Sequence, residues 1–298
     1  MYDTIDDLLK LAESDNAPLW KPILRNETRI TGLSEEKVFQ KLDERFQIMS
    51  QSAVRALQPG LLTAGGLIEG IASTHYAYAS GNGGICGSLI NEMMAFALSC
   101  SEANASMGKI CAAPTAGACG ILPAVLIAVG NKFSLKHRAV LEGLLTASGI
   151  GAIITRNATV SGAEGGCQAE CGVAAAMAAA AAVQMARGTS RASVNAICFA
   201  LMNCMGLICD PVAGLVQIPC AQRNASQAVN ALLCADLALA GMPSVIPPDQ
   251  VVAAMLKVGK QLPMQLRETT LGGIAATPAA NEISVAILGN QQKIKGTV

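Results

Sequence analysis

The chain has 298 residues and zero formal net charge, with 52% hydrophobic, 14% charged and only 3% aromatic residues. That length suits one large domain or two small ones, and balanced charge leaves no electrostatic footprint for nucleic acid. So little charge requires much of the chain to be buried. With aromatics scarce, alanine, glycine and methionine must fill the core, which favours close-packed helices.

Residues 3–13 read as an amphipathic helix with an acidic start, Met-Tyr-Asp-Thr-Ile-Asp-Asp, lacking the basic flank and apolar run of a signal peptide. Pro18, Trp20 and Pro22 then mark an exposed connection, so residues 1–30 form an N-terminal helix and connection. A second amphipathic helix is expected over 34–57, where Val38, Leu42, Phe46 and Met49 recur at helical spacing. Ser34, Glu35 and Glu36 supply its start, with acids near the positive end of the helix dipole. Residues 60–92 are glycine-rich, and Ser80-Gly81-Asn82-Gly83-Gly84 reads as a loop. Helix resumes over Ser88–Met107. The loop Pro114–Gly120 precedes an apolar segment at 121–131, and 137–154 has the pattern of a buried helix. The loop 161–167 leads into an alanine run, Gly172–Met185, that should be helical. Further helices are expected at 190–206, 224–240 and 248–260, the last opening on Pro247 and Pro248. The polar, basic tail 286–298 is expected to fray. No alternating strand pattern and no internal repeat stand out. The fold class is mainly α: a single helical domain over 31–285, with glycine-rich loops carrying the chemistry.

Mean hydropathy is +0.42, so a small membrane protein with alanine- and glycine-packed helices is the alternative from another class. Residues 110–131 are uncharged and long enough to span a bilayer, but Pro114, Gly117, Gly120 and Pro123 interrupt them. A second uncharged run between Arg191 and Asp210 contains Asn195 and Asn203. No aromatic belts flank either run, and buried helices account for both. Eleven cysteines without an export signal point to a reducing cytoplasm and to thiols rather than disulfides.

Three of those cysteines have distinctive surroundings. Cys167 lies in Gly-Ala-Glu-Gly-Gly-Cys-Gln-Ala-Glu-Cys (162–171), and Cys209 and Cys220 bound Cys-Asp-Pro-Val-Ala-Gly-Leu-Val-Gln-Ile-Pro-Cys. Each sits in or beside a turn made by Gly or Pro. Three thiolates aimed at one point form a soft site suited to an iron–sulfur cluster. A cubane held by three thiolates keeps one iron open to act as a Lewis acid on a substrate oxygen. On spacing alone, small buried hydrophobes are the competing explanation. Cys198, Cys204 and Cys234 fall in apolar helix patterns and read as core. Cys171, four residues from Cys167, is placed to be a supporting thiol, and Cys111 and Cys119 flank the Pro114–Gly120 loop.

These blocks, with Cys-Ala-Ala-Pro-Thr-Ala-Gly-Ala-Cys-Gly-Ile-Leu-Pro-Ala (111–124) and Leu-Arg-Glu-Thr-Thr-Leu-Gly-Gly-Ile-Ala-Ala-Thr-Pro (266–278), resemble the alpha subunit of the iron–sulfur-dependent L-serine dehydratases. The resemblance covers roughly residues 15–285, and the separations of 42 and 11 positions between the three cysteines agree with that family. It implies a [4Fe-4S] cluster on Cys167, Cys209 and Cys220. It also implies a substrate loop at Pro114, Thr115 and Gly117, where small residues before a helix leave backbone N–H groups for a carboxylate. The expected reaction is β-elimination of water from L-serine to pyruvate and ammonia. The resemblance further implies a beta subunit that completes a hetero-oligomer, since the fused N-terminal domain of single-chain relatives has no counterpart here. A related chemistry, removal of sulfide from L-cysteine, is the alternative. For the catalytic base the residues leave Lys109, His75 and Glu164 as candidates. Glu164 and Glu170, flanking Cys167, are suited to tune the cluster or to hydrogen-bond the substrate amine. No phosphate-binding loop and no dinucleotide fingerprint is present.

Overall fold

The computed structural model describes residues 2–81 and 84–295. Asn82 and Gly83, the middle of the expected glycine loop, lie outside the described residues. Among the described residues there are thirteen α-helices and no strand. The first three are α1 (Ile5–Ser14), α2 (Trp20–Thr31) and α3 (Glu35–Arg55). Then come α4 (Ile71–Ser80), α5 (Gly87–Ala105), α6 (Ile121–Lys132), α7 (His137–Asn157) and the single turn α8 (Gly162–Gly165). A π-helical segment, Gln168–Gly172, opens directly into α9 (Val173–Met185). The chain closes with α10 (Ser190–Cys204), α11 (Cys220–Leu239), α12 (Pro248–Gln261) and α13 (Pro278–Lys295).

The alanine run forms the axis of the molecule. Helix α9 is apolar on every side, and a helix of that kind is stable in water only when surrounded. Helices α6, α7, α10 and α11 enclose it, and its alanines are almost fully buried. Small side chains let the neighbours approach closely. The two larger ones, Met177 and Met185, are met by glycines on α7: a Cβ on Gly151 would lie 2.9 Å from Met177 Cε, and one on Gly143 2.8 Å from Met185 Cγ. Met and Gly thus interlock at near-crystalline density.

Three segments depart from the sequence expectations. The stretch around Pro18, Trp20 and Pro22 is not an exposed connection. It enters α2, whose Pro22, Ile23 and Leu24 are buried, with Leu19 just ahead of them. Pro22 falls in the first turn, where a missing N–H breaks no helical bond. Helix α4 forms inside the glycine-rich region. Its first turn is held by the buried Glu102 carboxylate, which accepts from Gly70 N (3.0 Å) and Ala72 N (2.6 Å). In the tail, expected to fray from 286, helix α13 extends to Lys295.

At the N-terminus, Thr4 Oγ1 accepts from Asp7 N (3.1 Å). The Asp249 carboxylate, from the first turn of α12, accepts from Ile5 N and Asp6 N (both 3.0 Å). Among the described residues only α7 is long and apolar enough to cross a membrane, and 67% of its most apolar stretch is buried inside the fold. Neither run weighed from the sequence makes such a helix: the 110–131 run contributes the 12-residue α6, and the 191–210 run the 15-residue α10.

Candidate active site

All eleven cysteines are thiols without disulfides. Cys167, Cys209 and Cys220 are 3%, 4% and 9% exposed, and each is delivered by a different local device. Cys167 follows Gly166, whose φ of 75° breaks the α8 turn before the π segment begins. The buried Gln168 side chain locks that break. Its amide donates to Gly165 O (2.9 Å) and Met255 O (3.0 Å), and its Oε1 accepts from Gly206 N (2.9 Å). Cys209 is clamped to the 266–268 strand-like segment, donating through its amide to Leu266 O (2.9 Å) and accepting from Glu268 N (2.7 Å). Cys220 is the first residue of α11, four residues ahead of the start expected from the sequence. The loop between them turns through Ala213 and Gly214, both at positive φ.

Arg223 joins these pieces. Its guanidinium donates to Ile208 O (2.8 Å) and pairs with Asp210 Oδ1 (2.8 Å), the side chains being 16% and 3% exposed. Asp210 Oδ2 in turn accepts from Ile274 N (2.7 Å), and a Cβ on Gly273 would collide with that carboxylate. The Cys171 thiol, and then the Arg223 guanidinium, hold Cys167 below its ordinary pKa, against the effect of burial. Burial, reinforced by the charge of Cys167, pushes Cys209 far up and Cys220 up to about 12. Through Arg223, the segments bearing Cys209 and Cys220 are joined directly. Cys171 is nearly fully buried beside Cys167, while Cys198, Cys204 and Cys234 are packed in the core.

The Pro114–Gly120 loop is drawn to this neighbourhood by two side chains. Thr115 Oγ1 donates to Glu170 Oε1 (2.8 Å). Asn224, 1% exposed, accepts from Gly120 N (2.8 Å) through Oδ1 and donates to Gly117 O (2.7 Å) and Cys220 O (2.8 Å). The amides of Ala116 and Gly117 have no protein acceptor among the described residues. Glu170 Oε2 accepts from Cys209 Sγ across 3.8 Å. Burial raises the pKa of Glu170 despite the Thr115 bond.

The candidate bases are not tied to this group. Glu164 is exposed and accepts from Thr159 Oγ1 (2.6 Å). Lys109 is exposed. His75 lies on α4 with its Nε2 buried and unpartnered, its ring centroid 5.9 Å from that of Tyr78. The 450 Å³ cleft lined by Ile23, Leu42, Arg45 and Arg156 contains none of the three thiols; the site is assigned by its chemistry rather than by concavity. Sequence reasoning overlooked Arg223 and Asn224. Their spacing of three and four from Cys220 was the available signal, since it puts them on the same helical face.

The fold defines a class of all-helical proteins in which buried thiols lie beside a small-residue loop. The sequence comparisons make the class specific. Residues 14–275 match the family model "Serine dehydratase alpha chain", and the chain belongs to that family. It is 44% identical to the L-serine dehydratase alpha chain of Peptoniphilus asaccharolyticus, over 95% of this chain and 97% of that one. It is 40% identical to the probable L-serine dehydratase alpha chain of Bacillus subtilis (strain 168), over 97% of this chain and 96% of that one. An L-serine dehydratase of Helicobacter pylori (strain ATCC 700392 / 26695) is 41% identical over 63% of this chain but only 42% of its own length.

Proposed function

We propose that the chain is the catalytic subunit of an L-serine dehydratase, a lyase that eliminates water from L-serine and yields pyruvate and ammonia. The observation that carries this reading is the group of buried Cys167, Cys209 and Cys220 with the Thr115–Glu170 pair against Cys209, in a chain of this family. The donor set fits a [4Fe-4S] cluster. Thiolates are the soft ligands such clusters use, and the half-buried Arg223 guanidinium is placed to offset the negative charge at Cys167. Among the described residues no three His, Cys, Asp or Glu side chains are grouped to hold a single metal ion. Cys167, Cys209 and Cys220 would hold the cluster. When bound, it supplies a Lewis-acidic iron that makes the serine hydroxyl a tolerable leaving group.

The chain's own residues bind and orient. The unpartnered amides of Ala116 and Gly117 receive the substrate carboxylate, in the loop that holds Pro114 and Thr115. Asn224 fixes that loop to the helix bearing Cys220, so the carboxylate and the reacting carbon keep a set distance. Loss of the α-proton and of hydroxide gives the enamine, which becomes the imine and is hydrolysed by water without further help. None of Lys109, His75 and Glu164 is linked to the thiols, and we assign the base to a beta subunit. In support, the Helicobacter pylori relative carries more than half its length outside the match, and relatives of this chain's size are named alpha chains. Reduced thiols throughout are consistent with a cytoplasmic enzyme.

The test is anaerobic reconstitution with iron and sulfide, alone and with the beta subunit. Visible and EPR spectra are recorded for wild type and Cys209→Ser, with and without L-serine. A broad charge-transfer band that is lost in the variant and perturbed by serine is expected, together with pyruvate release from serine in preference to cysteine. No band under either condition would refute the cluster assignment.

A further inference from the structure

The structure separates the two acids that flank Cys167. Glu164 turns outward to Thr159. Glu170 turns inward, between the substrate loop and Cys209. Its Oε1 takes the Thr115 hydroxyl at 2.8 Å, and its Oε2 lies 3.8 Å from Cys209 Sγ. Two of its neighbours are glycines. A Cβ on Gly117 would lie 3.2 Å from Oε1, and one on Gly162 would lie 2.6 Å from Oε2 and 3.1 Å from Cys209 Sγ. The carboxylate packs against both glycines, so a side chain at either position would push against it.

A half-buried carboxylate such as that of Glu170 is stabilised by a cation or by several strong donors. Glu170 has neither: Thr115 is its one strong donor, and none of the ion pairs among the described residues includes it. The nearby guanidinium, Arg223, is committed to Asp210 and Ile208 O. The protein therefore leaves this acid short of one positive charge. L-Serine carries one, on the nitrogen of the carbon that joins its carboxylate to its CH₂OH group. With the carboxylate on the Ala116 and Gly117 amides and the hydroxyl toward the thiols, the ammonium falls between them, where Glu170 is.

We infer that Glu170 is the receptor for the α-ammonium group of the substrate, and so the residue that selects an amino acid over a hydroxy acid lacking that group. The inference rests on the serine-dehydratase reading and deepens it. It makes Glu170 a specificity residue, with Thr115 orienting its carboxylate.

The experiment uses the reconstituted enzyme with its partner chain, and compares L-serine with 3-hydroxypropanoate, which keeps the carboxylate and hydroxyl but has no ammonium. Glu170→Gln is isosteric and keeps an acceptor for Thr115. It is expected to weaken L-serine binding by on the order of 10- to 100-fold, the worth of a charge-assisted hydrogen bond, and to change 3-hydroxypropanoate inhibition by less than about threefold. Iron content and the visible spectrum of the variant should match wild type. Equal weakening of both compounds, or of neither, overturns the inference while leaving the serine-dehydratase reading intact. Wild-type enzyme that binds neither compound overturns that reading, and the inference with it. Should the glutamine variant unfold, Glu170→Asp keeps the charge with a shorter reach; it should still prefer L-serine, and loss of that preference together with equal weakening of both compounds again refutes the assignment.

Discussion

Asn224 is the strongest single test of how this site is held together. Its side chain is buried and satisfies two backbone groups of the Pro114–Gly120 loop, Gly120 N–H and Gly117 C=O, besides donating to Cys220 O. In Asn224→Ala both lose their partner, Gly120 N–H in the buried interior and Gly117 C=O where it is partly buried. Each orphaned buried group costs about 1–3 kcal/mol. The Cys220 carbonyl lies within the first turn of α11 and loses less. With most of the cost at the buried Gly120 N–H and less at the two carbonyls, the sum is about 2–5 kcal/mol, before any gain from relaxation of the loop. For a chain of this size that corresponds to a fall in Tm of about 3–8 °C. Equilibrium urea unfolding of the metal-free chain under reductant gives the energy directly, free of any effect on metal loading. The loop should also be released from the helix bearing Cys220, so the reconstituted variant should show a higher KM for L-serine. A change in unfolding energy below about 0.5 kcal/mol would show that loop and helix hold their positions without this residue.

Two further expectations concern the scaffold. Asp249→Ala removes the acceptor for Ile5 N and Asp6 N at the start of α1. A cap of this kind is worth about 0.5–2 kcal/mol, and hydrogen exchange should rise first in α1; uniform change across the chain would contradict a local cap. Burial raises the Cys100 thiol to about 12 from an ordinary value near 9, so the folded state retains a proton that the unfolded state loses. Its contribution to stability is therefore complete below pH 9 and is lost as pH climbs toward about 12. Urea midpoints measured at pH 8 and pH 10.5 should fall less in Cys100→Ala than in wild type. An equal fall in both would show that this thiol does not carry the effect.

What could be read along the chain was whatever neighbours in sequence decide. The period of Val38, Leu42, Phe46 and Met49 marked α3, and an uninterrupted alanine run marked α9. The glycine and proline blocks around Cys167, Cys209 and Cys220 singled out three thiols from eleven. Local signals misled where a distant element overrode them. Pro18 and Pro22 look like breaks, yet burial of Leu19, Ile23 and Leu24 carries α2 through. The glycines before Ile71 look like loop, yet Glu102, more than thirty positions away, caps α4.

The site shows the same division. Residue types and the spacing of the thiols were legible, but the inward acid was not. Glu164 and Glu170 flank Cys167 alike in sequence, and only the break at Gly166 and the π segment after it send one outward and the other toward Thr115, 55 positions away. Asn224 likewise has its meaning from loop atoms 104 and 107 positions away. Side-chain chemistry and helical period belong to the chain itself; which side chain meets which carbonyl exists only after packing around α9 has brought distant segments together.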